Sequence, residues 1–199
     1  MTQDYTVLTV CTGNICRSPA MERLIAHVFA DAVEEGLHVH SGGTFAHDGE
    51  DMQPPMKRRV EEYGAEAGGF TARQVTASMV EEADLILTAT REHVDDVLAE
   101  VPGARARTFT VRELGRLLEH LRSLGEVKER IDELVGEGAS SRDRLATVVP
   151  LLDEARRAAG GPGPEGDVVD PYMLPEDVYD ESFRQISEPI EALAAVIRR

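Results

Sequence analysis

The two cysteines of this 199-residue chain both lie in one short segment, VCTGNICRSPAMERL, which begins at Val10. Cys11 is followed after five residues by Arg17 and then by Ser18. A cysteine thiolate is an effective nucleophile, and the planar guanidinium of an arginine binds two oxygens of a tetrahedral oxyanion at once. The spacing therefore predicts nucleophilic chemistry on a phosphate-like group, with Cys11 attacking and Arg17 holding the oxyanion.

The elements around this segment would place both groups at one anion site. Residues 5–10, YTVLTV, are rich in β-branched side chains and predict a strand. From Pro19, apolar residues recur at helical spacing for about four turns, and Ser18 is a good N-cap. Backbone N–H groups and the helix dipole favour a bound anion and a thiolate at such a helix start. Gly13 permits close backbone approach, and Asn14 tolerates a left-handed conformation.

Strand and helix patterns alternate along the first hundred residues. They predict a helix over residues 54–64, a buried strand over residues 83–88 and a helix capped by Thr90. Near the end, GDVVDPY at residues 166–172 looks like a last strand, and Pro189 should kink or restart the helix that follows. This alternation predicts an α/β fold in three layers, with a central parallel sheet of about four strands and helices on both faces.

A different pattern occupies about residues 103–166. It contains three apolar stripes at helical spacing, the last of them disturbed by Pro150. The sequence GGPGPEG that ends this segment is typical of a flexible linker. We therefore expect a single domain over residues 1–199, with an inserted helical segment at about 103–166.

The charge of the chain limits its partners. Thirty-seven acidic residues against 21 basic ones give a formal net charge of −16, which disfavours nucleic acid and anionic membrane surfaces. No apolar run approaches the roughly 20 residues that span a bilayer, and the first ten residues lack the basic region of a secretory signal. We expect a cytoplasmic protein without membrane insertion, in which closely spaced cysteines are catalytic or redox-active.

Several segments together resemble the low-molecular-weight protein tyrosine phosphatase family. VCTGNICRSPAMERL is similar to the family signature, and HSGGTFA from His40, TARQVT from Thr71 and ADLILTAT from Ala83 follow in the family's order. DPY at residues 170–172 resembles the family's general-acid motif. The resemblance covers the first hundred residues and about the last thirty, and indicates a bacterial-type member with an extra helical insertion.

The resemblance implies hydrolysis of phosphotyrosine and small aryl phosphates through a cysteinyl-phosphate. Cys11 would be the nucleophile, Arg17 the phosphate clamp and Asp170 the general acid and base, with Asp167 as a nearby rival for the acid. Pro171 would stiffen the loop that holds Asp170. No cofactor or metal is expected. The residues expected to bind phosphate are Thr12, Gly13, Asn14, Ile15, Cys16 and Ser18.

Supporting roles also follow from the resemblance. Ser18 would donate to the sulfur of Cys11, and Asn14 with Ser41 would hold the loop from behind. Phe70 stands where many relatives have a histidine that braces this loop, so the brace is expected to be remodelled. The walls that admit a flat aromatic ring would be Phe45, His47 and Tyr172, and Met173 follows where eukaryotic relatives often have a second tyrosine.

Cys16 has two interpretations. Free cysteine is often a small buried apolar residue. The family resemblance instead implies a reversible disulfide between Cys16 and Cys11, which would spare the nucleophile from irreversible oxidation.

Two other functions stay open at this point. An arsenate reductase of the same fold that uses a small thiol needs only Cys11, whereas the thioredoxin-fed type is excluded because the chain has no further cysteine pair. A non-catalytic phosphoprotein-binding module is the second alternative. The expected partner is a phosphotyrosyl protein, which in bacterial relatives is often a tyrosine kinase, and the expected assembly is a monomer or weak homodimer.

Overall fold

The sheet at the centre of the fold is parallel throughout. The structure is a computed structural model that describes residues 4–125, 127–136, 138–161 and 166–198. Within them, four strands pair in the order β2-β1-β3-β4, which confirms the predicted α/β fold. The strands are β1 (Tyr5–Cys11), β2 (Leu37–Gly43), β3 (Leu85–Thr88) and β4 (Thr108–Thr110).

Helices cover both faces of this sheet. Alternate residues of β1 point to opposite faces: Val7 belongs to the larger core, which includes residues of α1, α6 and α9, whereas Leu8 and Val10 pack with Val80 and Val97 of α4 and α5. No helix among the described residues is long and apolar enough to cross a bilayer. The helices are α1 (Arg17–Val28), α2 (Ala30–Glu34), α3 (Pro54–Tyr63), α4 (Ala77–Glu82), α5 (Arg91–Glu100), α6 (Val111–Ser123), α7 (Val127–Val135), α8 (Ser141–Ala158) and α9 (Glu176–Ile197).

The strand register brings the chemically interesting residues to one edge of the sheet. Cys11, the last residue of β1, pairs with Gly43 at the end of β2, and β3 ends beside Val10. In parallel α/β sheets the loops that follow the strands gather at this carboxyl edge. The loop after β1 therefore meets the loops after β2 and β3 at the same place.

The predicted last strand over residues 166–172 is wrong, and the fourth strand is β4 instead. The segment is extended but unpaired along the sheet: the N–H of Val168 bonds the carbonyl of Ala89, beyond the end of β3, at 2.8 Å. It crosses the carboxyl edge of the sheet rather than adding to it. This crossing is what carries Asp170 towards Cys11.

The predicted cap and length of α1 need correction. Ser18 is not the N-cap of α1, because the helix begins at Arg17 and the Ser18 hydroxyl faces Cys11 instead. The helix ends after three turns, since the backbone breaks at Phe29 before α2. Of the two effects predicted for Pro189, a restart is absent, because α9 runs on through it; α8 likewise continues through Pro150.

Helices α6–α8 occupy the predicted insertion; α6 begins directly after β4 at the carboxyl edge, whereas α8 reaches the opposite end of the sheet. Arg144 of α8 is buried, donates to the carbonyl of Ile197 at the end of α9 (2.6 Å) and pairs with Asp132. Arg156 donates to the carbonyl of Thr108, the first residue of β4, at 2.7 Å and lies over the Phe109 ring. Residues 162–165 of the predicted linker lie outside the described residues.

We predict that the insertion and the rest of the chain unfold together. Leu145 of α8 is fully buried in the core shared with α1 and α9, whereas Leu134 of α7 is 62% exposed. Leu145→Ala should lower the free energy of unfolding by about 2 to 5 kcal/mol, and the matched Leu134→Ala by about 0.5 kcal/mol or less.

Tyrosine fluorescence during urea unfolding checks this, because the four tyrosines all lie outside α6–α8. If Leu145→Ala reduces helicity but leaves the tyrosine transition unmoved, the insertion folds as a separate unit and the single-domain prediction fails.

Candidate active site

The loop between β1 and α1, residues 11–17, has its carbonyls turned away from its centre. The carbonyls of Cys11, Thr12, Gly13 and Ile15 each accept a backbone N–H from segment 44–53, at 2.8 to 3.0 Å. The peptide bonds of this loop, like the others in the described part of the chain, are trans, so the N–H that follows each of these carbonyls points the opposite way. The loop thus turns a set of backbone donors towards the cavity, as an anion site requires.

A buried asparagine fixes the shape of this loop from behind. Asn14 has φ +54°, the left-handed conformation that the sequence suggested it would tolerate. Its Oδ1 accepts from the N–H of Arg73, and its Nδ2 donates to the hydroxyls of Ser18 and Ser41, all at 2.9 Å. The Ser41 hydroxyl in turn donates to the carboxylate of Glu22 at 2.6 Å. Each polar atom of the Asn14 amide therefore has a partner.

In place of a histidine side chain, the backbone N–H of Arg73 supports the loop through its hydrogen bond to Asn14. Phe70, at the position where a histidine was expected from the resemblance, is buried and lies beneath the guanidinium of Arg23, 5.8 Å from the ring centroid. Gly43 allows the close approach between the loops, because a Cβ there would lie 2.4 Å from the carbonyl oxygen of Thr12.

The Cys11 sulfur lies buried at the base of the loop, 3.0 Å from the Ser18 hydroxyl. A thiolate can only accept a hydrogen bond, so Ser18 is the donor whenever Cys11 is ionised. Asn14 donates to the Ser18 oxygen, and the other acceptor near the hydroxyl, the carbonyl of Gly42, is farther away at 3.4 Å; the proton of Ser18 is therefore available to the sulfur. The arrangement stabilises negative charge on Cys11.

Arg17 and Asp170 form an ion pair at the side of the cavity. The guanidinium of Arg17 is buried and donates through Nη2 to Asp170 Oδ2 at 2.7 Å, and its Nε has no hydrogen-bond partner among the described residues. Asp170 is half-exposed, and its other oxygen accepts from the N–H of Tyr172 at 3.2 Å. Asp167, the rival carboxylate, instead accepts from the N–H of Arg91 at the start of α5.

One cavity of about 110 Å³ brings most of the predicted site residues together. Asn14 and Ser18 lie behind it, where they support the loop. The His47 and Tyr172 rings meet edge to face, with centroids 5.5 Å apart, and Phe45 is 80% exposed at the rim. The lining residues are Cys11, Thr12, Gly13, Ile15, Cys16, Arg17, Phe45, His47, Asp170 and Tyr172.

Cys16 is a buried free thiol, as is Cys11. Burial, together with the charges of Cys11 and Asp170, raises the pKa of Cys16 to about 12, against a smaller opposing effect from a hydrogen bond with Tyr179. At neutral pH Cys16 is therefore protonated.

Besides Arg73 and Tyr179, Glu22 and His93 contact this site and were not predicted from the sequence. Glu22 lies four positions after Ser18 and so on the same face of α1; that spacing was the available signal. His93, buried at the third position of α5, places Nε2 2.9 Å from the Thr12 hydroxyl oxygen. No sequence motif marks His93, since its contact with residue 12 spans 81 positions.

Comparison with known proteins agrees with this geometry. A sequence model of the low molecular weight phosphotyrosine protein phosphatase family matches residues 6–154. The chain is 29% identical to a protein-arginine-phosphatase of Geobacillus stearothermophilus, over 75% of this chain and 95% of that one. It is 28% identical to the low molecular weight protein-tyrosine-phosphatase Wzb of Escherichia coli K12, over 76% and 90%. The crystal structure of the Erwinia amylovora tyrosine phosphatase AmsI has the same fold, with a TM-score of 0.64 at 20% identity, covering 100% of this chain and 96% of that one.

We predict that Asn14 stabilises the protein both by its hydrogen bonds and by accepting the left-handed backbone. Asn14→Ala loses both and should lower the free energy of unfolding by about 3 kcal/mol. Asn14→Gly loses only the hydrogen bonds and should be less destabilised by about 1 kcal/mol. Urea unfolding of the three proteins measures the difference, and equal losses in the two variants would show that the left-handed backbone is not a constraint.

Proposed function

The chain belongs to the low molecular weight phosphotyrosine protein phosphatase family of phosphoric monoester hydrolases, and we propose that it hydrolyses phosphotyrosine in proteins, and small aryl phosphates, through a cysteinyl-phosphate. The observation that carries the proposal is that one small cavity holds the Cys11 sulfur, the inward N–H groups of its loop, Arg17 and Asp170. A nucleophile, an oxyanion site and an acid thus surround the same point.

In the first step, the Cys11 thiolate attacks phosphorus in line with the phenolic oxygen. The S–P bond forms as the P–O bond breaks, and Asp170 gives its proton to the departing oxygen. Charge on the three equatorial oxygens is stabilised by the loop N–H groups and by Arg17. The phosphoryl dianion competes with Asp170 for Arg17, and this exchange frees the Asp170 carboxylate, which takes up a proton from solvent and then faces the leaving group as the acid.

In the second step, water hydrolyses the cysteinyl-phosphate. Asp170, now a carboxylate, takes a proton from the water as its oxygen attacks phosphorus. The S–P bond breaks, inorganic phosphate forms and the electron pair returns to the Cys11 sulfur. The Ser18 hydroxyl, 3.0 Å from that sulfur, stabilises the departing thiolate.

The walls of the cavity favour an aromatic leaving group. Phe45, His47 and Tyr172 line it above the loop, and aromatic pairs gain energy beyond simple burial. Phosphoarginine is the competing substrate, given the relative named a protein-arginine-phosphatase. Its guanidinium would need several acceptors, and among the cavity-lining residues Asp170 is the one carboxylate. A phosphotyrosyl protein, such as a bacterial tyrosine kinase, is the substrate we propose.

We predict hydrolysis of phenyl phosphate by the unaltered chain and none by Cys11→Ser. Asp170→Asn should lower kcat by roughly 10²- to 10⁴-fold, the usual contribution of a general acid. This loss should shrink with para-nitrophenyl phosphate, because its leaving group needs less protonation. Steady-state kinetics on both esters measure the two effects.

Asp167→Asn is the matched control, because it changes a neighbouring carboxylate outside the cavity and should keep full activity. Equal activity in Cys11→Ser would refute the mechanism. Turnover of phosphoarginine in preference to phosphotyrosine would reassign the substrate. Thiol-dependent arsenate reduction without esterase activity would favour the reductase, and phosphopeptide binding without turnover would favour the binding module.

We also propose that Cys16 protects the nucleophile. Peroxide oxidises the Cys11 thiolate to a sulfenic acid, and Cys16 then attacks its sulfur, forming a disulfide and releasing water. Because the Cys16 pKa is raised to about 12, its thiolate fraction increases with pH throughout the range 7 to 9.

The unaltered chain should therefore recover with dithiothreitol after peroxide treatment, whereas Cys16→Ala should stay inactive. Recovery should be more complete at pH 8.5 than at pH 7, because faster disulfide closure leaves less sulfenic acid for further oxidation. Full recovery of Cys16→Ala would show that Cys16 gives no protection.

A further inference from the structure

His93 lies behind the cavity wall and has a defined tautomer. Its Nδ1 lies 3.2 Å from the backbone N–H of Thr90 and 2.8 Å from the Thr90 hydroxyl. A backbone N–H can only donate, so Nδ1 is the acceptor and carries no proton, and the Thr90 hydroxyl, whose oxygen accepts from the N–H of His93, donates to it as well. Burial, followed by the charge of Arg17, lowers the His93 pKa to about 4, and the ring is neutral at physiological pH. A neutral imidazole carries one N–H, which is therefore at Nε2.

The acceptor for the Nε2 proton of His93 is the Thr12 hydroxyl. Nε2 lies 2.9 Å from the hydroxyl oxygen of Thr12, so His93 donates and Thr12 accepts. Arg17 Nη2 donates a second, longer hydrogen bond of 3.5 Å to the same oxygen. A hydroxyl oxygen has two acceptor positions, and both are used by these donors. The proton of the Thr12 hydroxyl must therefore point away from His93 and Arg17.

Thr12 follows the nucleophile directly and lines the cavity, where its side chain is exposed. A hydroxyl proton directed into the cavity points to the place where the phosphoryl oxygens would lie, next to Arg17. The loop then offers a side-chain donor in addition to its backbone N–H groups. Donors that are already oriented stabilise charge without reorganising during the reaction.

We propose that His93 is a positioning residue, which orients the Thr12 hydroxyl so that it donates a hydrogen bond to an oxygen of the transferring phosphoryl group. This inference rests on the proposed function, deepens it and assigns the residue pair 12 and 93 a role in binding the phosphoryl group. His93 acts only through Thr12 and touches no reacting atom.

A double-mutant cycle tests the proposal with phenyl phosphate as substrate. Thr12→Val removes the hydroxyl at nearly constant shape and should lower kcat/KM by roughly 10- to 100-fold, the value of a hydrogen bond to a charged group. Thr12→Ser keeps the hydroxyl and should recover most of this loss.

Two substitutions of His93 separate its contact with Thr12 from its contact with Thr90. His93→Asn keeps a polar acceptor near the Nδ1 position but cannot reach Thr12, and should lower kcat/KM by roughly tenfold. His93→Gln keeps an N–H donor near the Nε2 position and should recover most of that activity. In the Thr12→Val background, His93→Asn should change kcat/KM by less than about twofold, because the hydroxyl that it orients is gone.

The same variants can be measured without turnover. The Kd of inorganic phosphate, determined by calorimetry, should rise roughly tenfold in Thr12→Val and in His93→Asn, and thermal unfolding confirms that the variants are folded. If the unaltered chain binds phosphate in this pattern but hydrolyses no aryl phosphate, the proposed function fails and the His93 inference stands.

Three results would overturn the inference. If His93→Asn lowers kcat/KM as much in the Thr12→Val background as it does alone, its effect is only structural. Unchanged phosphate affinity in Thr12→Val would show that the hydroxyl does not reach the anion. If the loss of kcat/KM in Thr12→Val disappears with para-nitrophenyl phosphate, the Thr12 hydroxyl assists Asp170 and the leaving group instead of binding a phosphoryl oxygen.

Discussion

The hydrogen bonds between the 11–17 loop and segment 44–53 decide where the loop directs its polar groups. Each loop carbonyl that is satisfied by this segment turns the next N–H the other way, because the peptide is planar and trans. The result is an anion site formed by backbone N–H groups. Side chains then add to it: Ser18 at the sulfur, Arg17 at the oxygens, and Asn14 as the buried connection that holds both loops in register.

The site also shows how a chain with a formal charge of −16 can bind a dianion. Exposed charges are screened over about 8 to 10 Å in physiological salt, whereas the loop donors and the buried guanidinium of Arg17 act at contact distance in a region of low dielectric. The nearest carboxylate, Asp170, is itself paired with Arg17 at 2.7 Å. The local arrangement therefore outweighs the net charge, which acts mainly on distant partners.

None of the described residues of α6–α8 lines the cavity. Arg156 and Arg144 of α8 contact the first residue of β4 and the end of α9, whereas Arg112 at the start of α6 donates to the carbonyl of Asp167. These helices add buried residues such as Ile131, Leu145 and Leu152 to the larger core.

The sequence by itself determined the α/β class and the residues of the loop, because short-range pattern and spacing are local properties. They indicated the strand before Cys11, the helix after it, and the tolerance of Asn14 for a left-handed backbone. The sequence also favoured Asp170 of DPY over Asp167 as the acid, because Pro171 would stiffen the loop. Tertiary structure alone showed that Asp170 reaches Arg17, whereas Asp167 accepts from the N–H of Arg91. The tertiary structure also showed that the N–H of Arg73 bonds to Asn14 and that His93 contacts Thr12. These contacts join residues 59 to 153 positions apart in the chain. The packing of helices onto the sheet brings these residues together, and local sequence does not encode that packing.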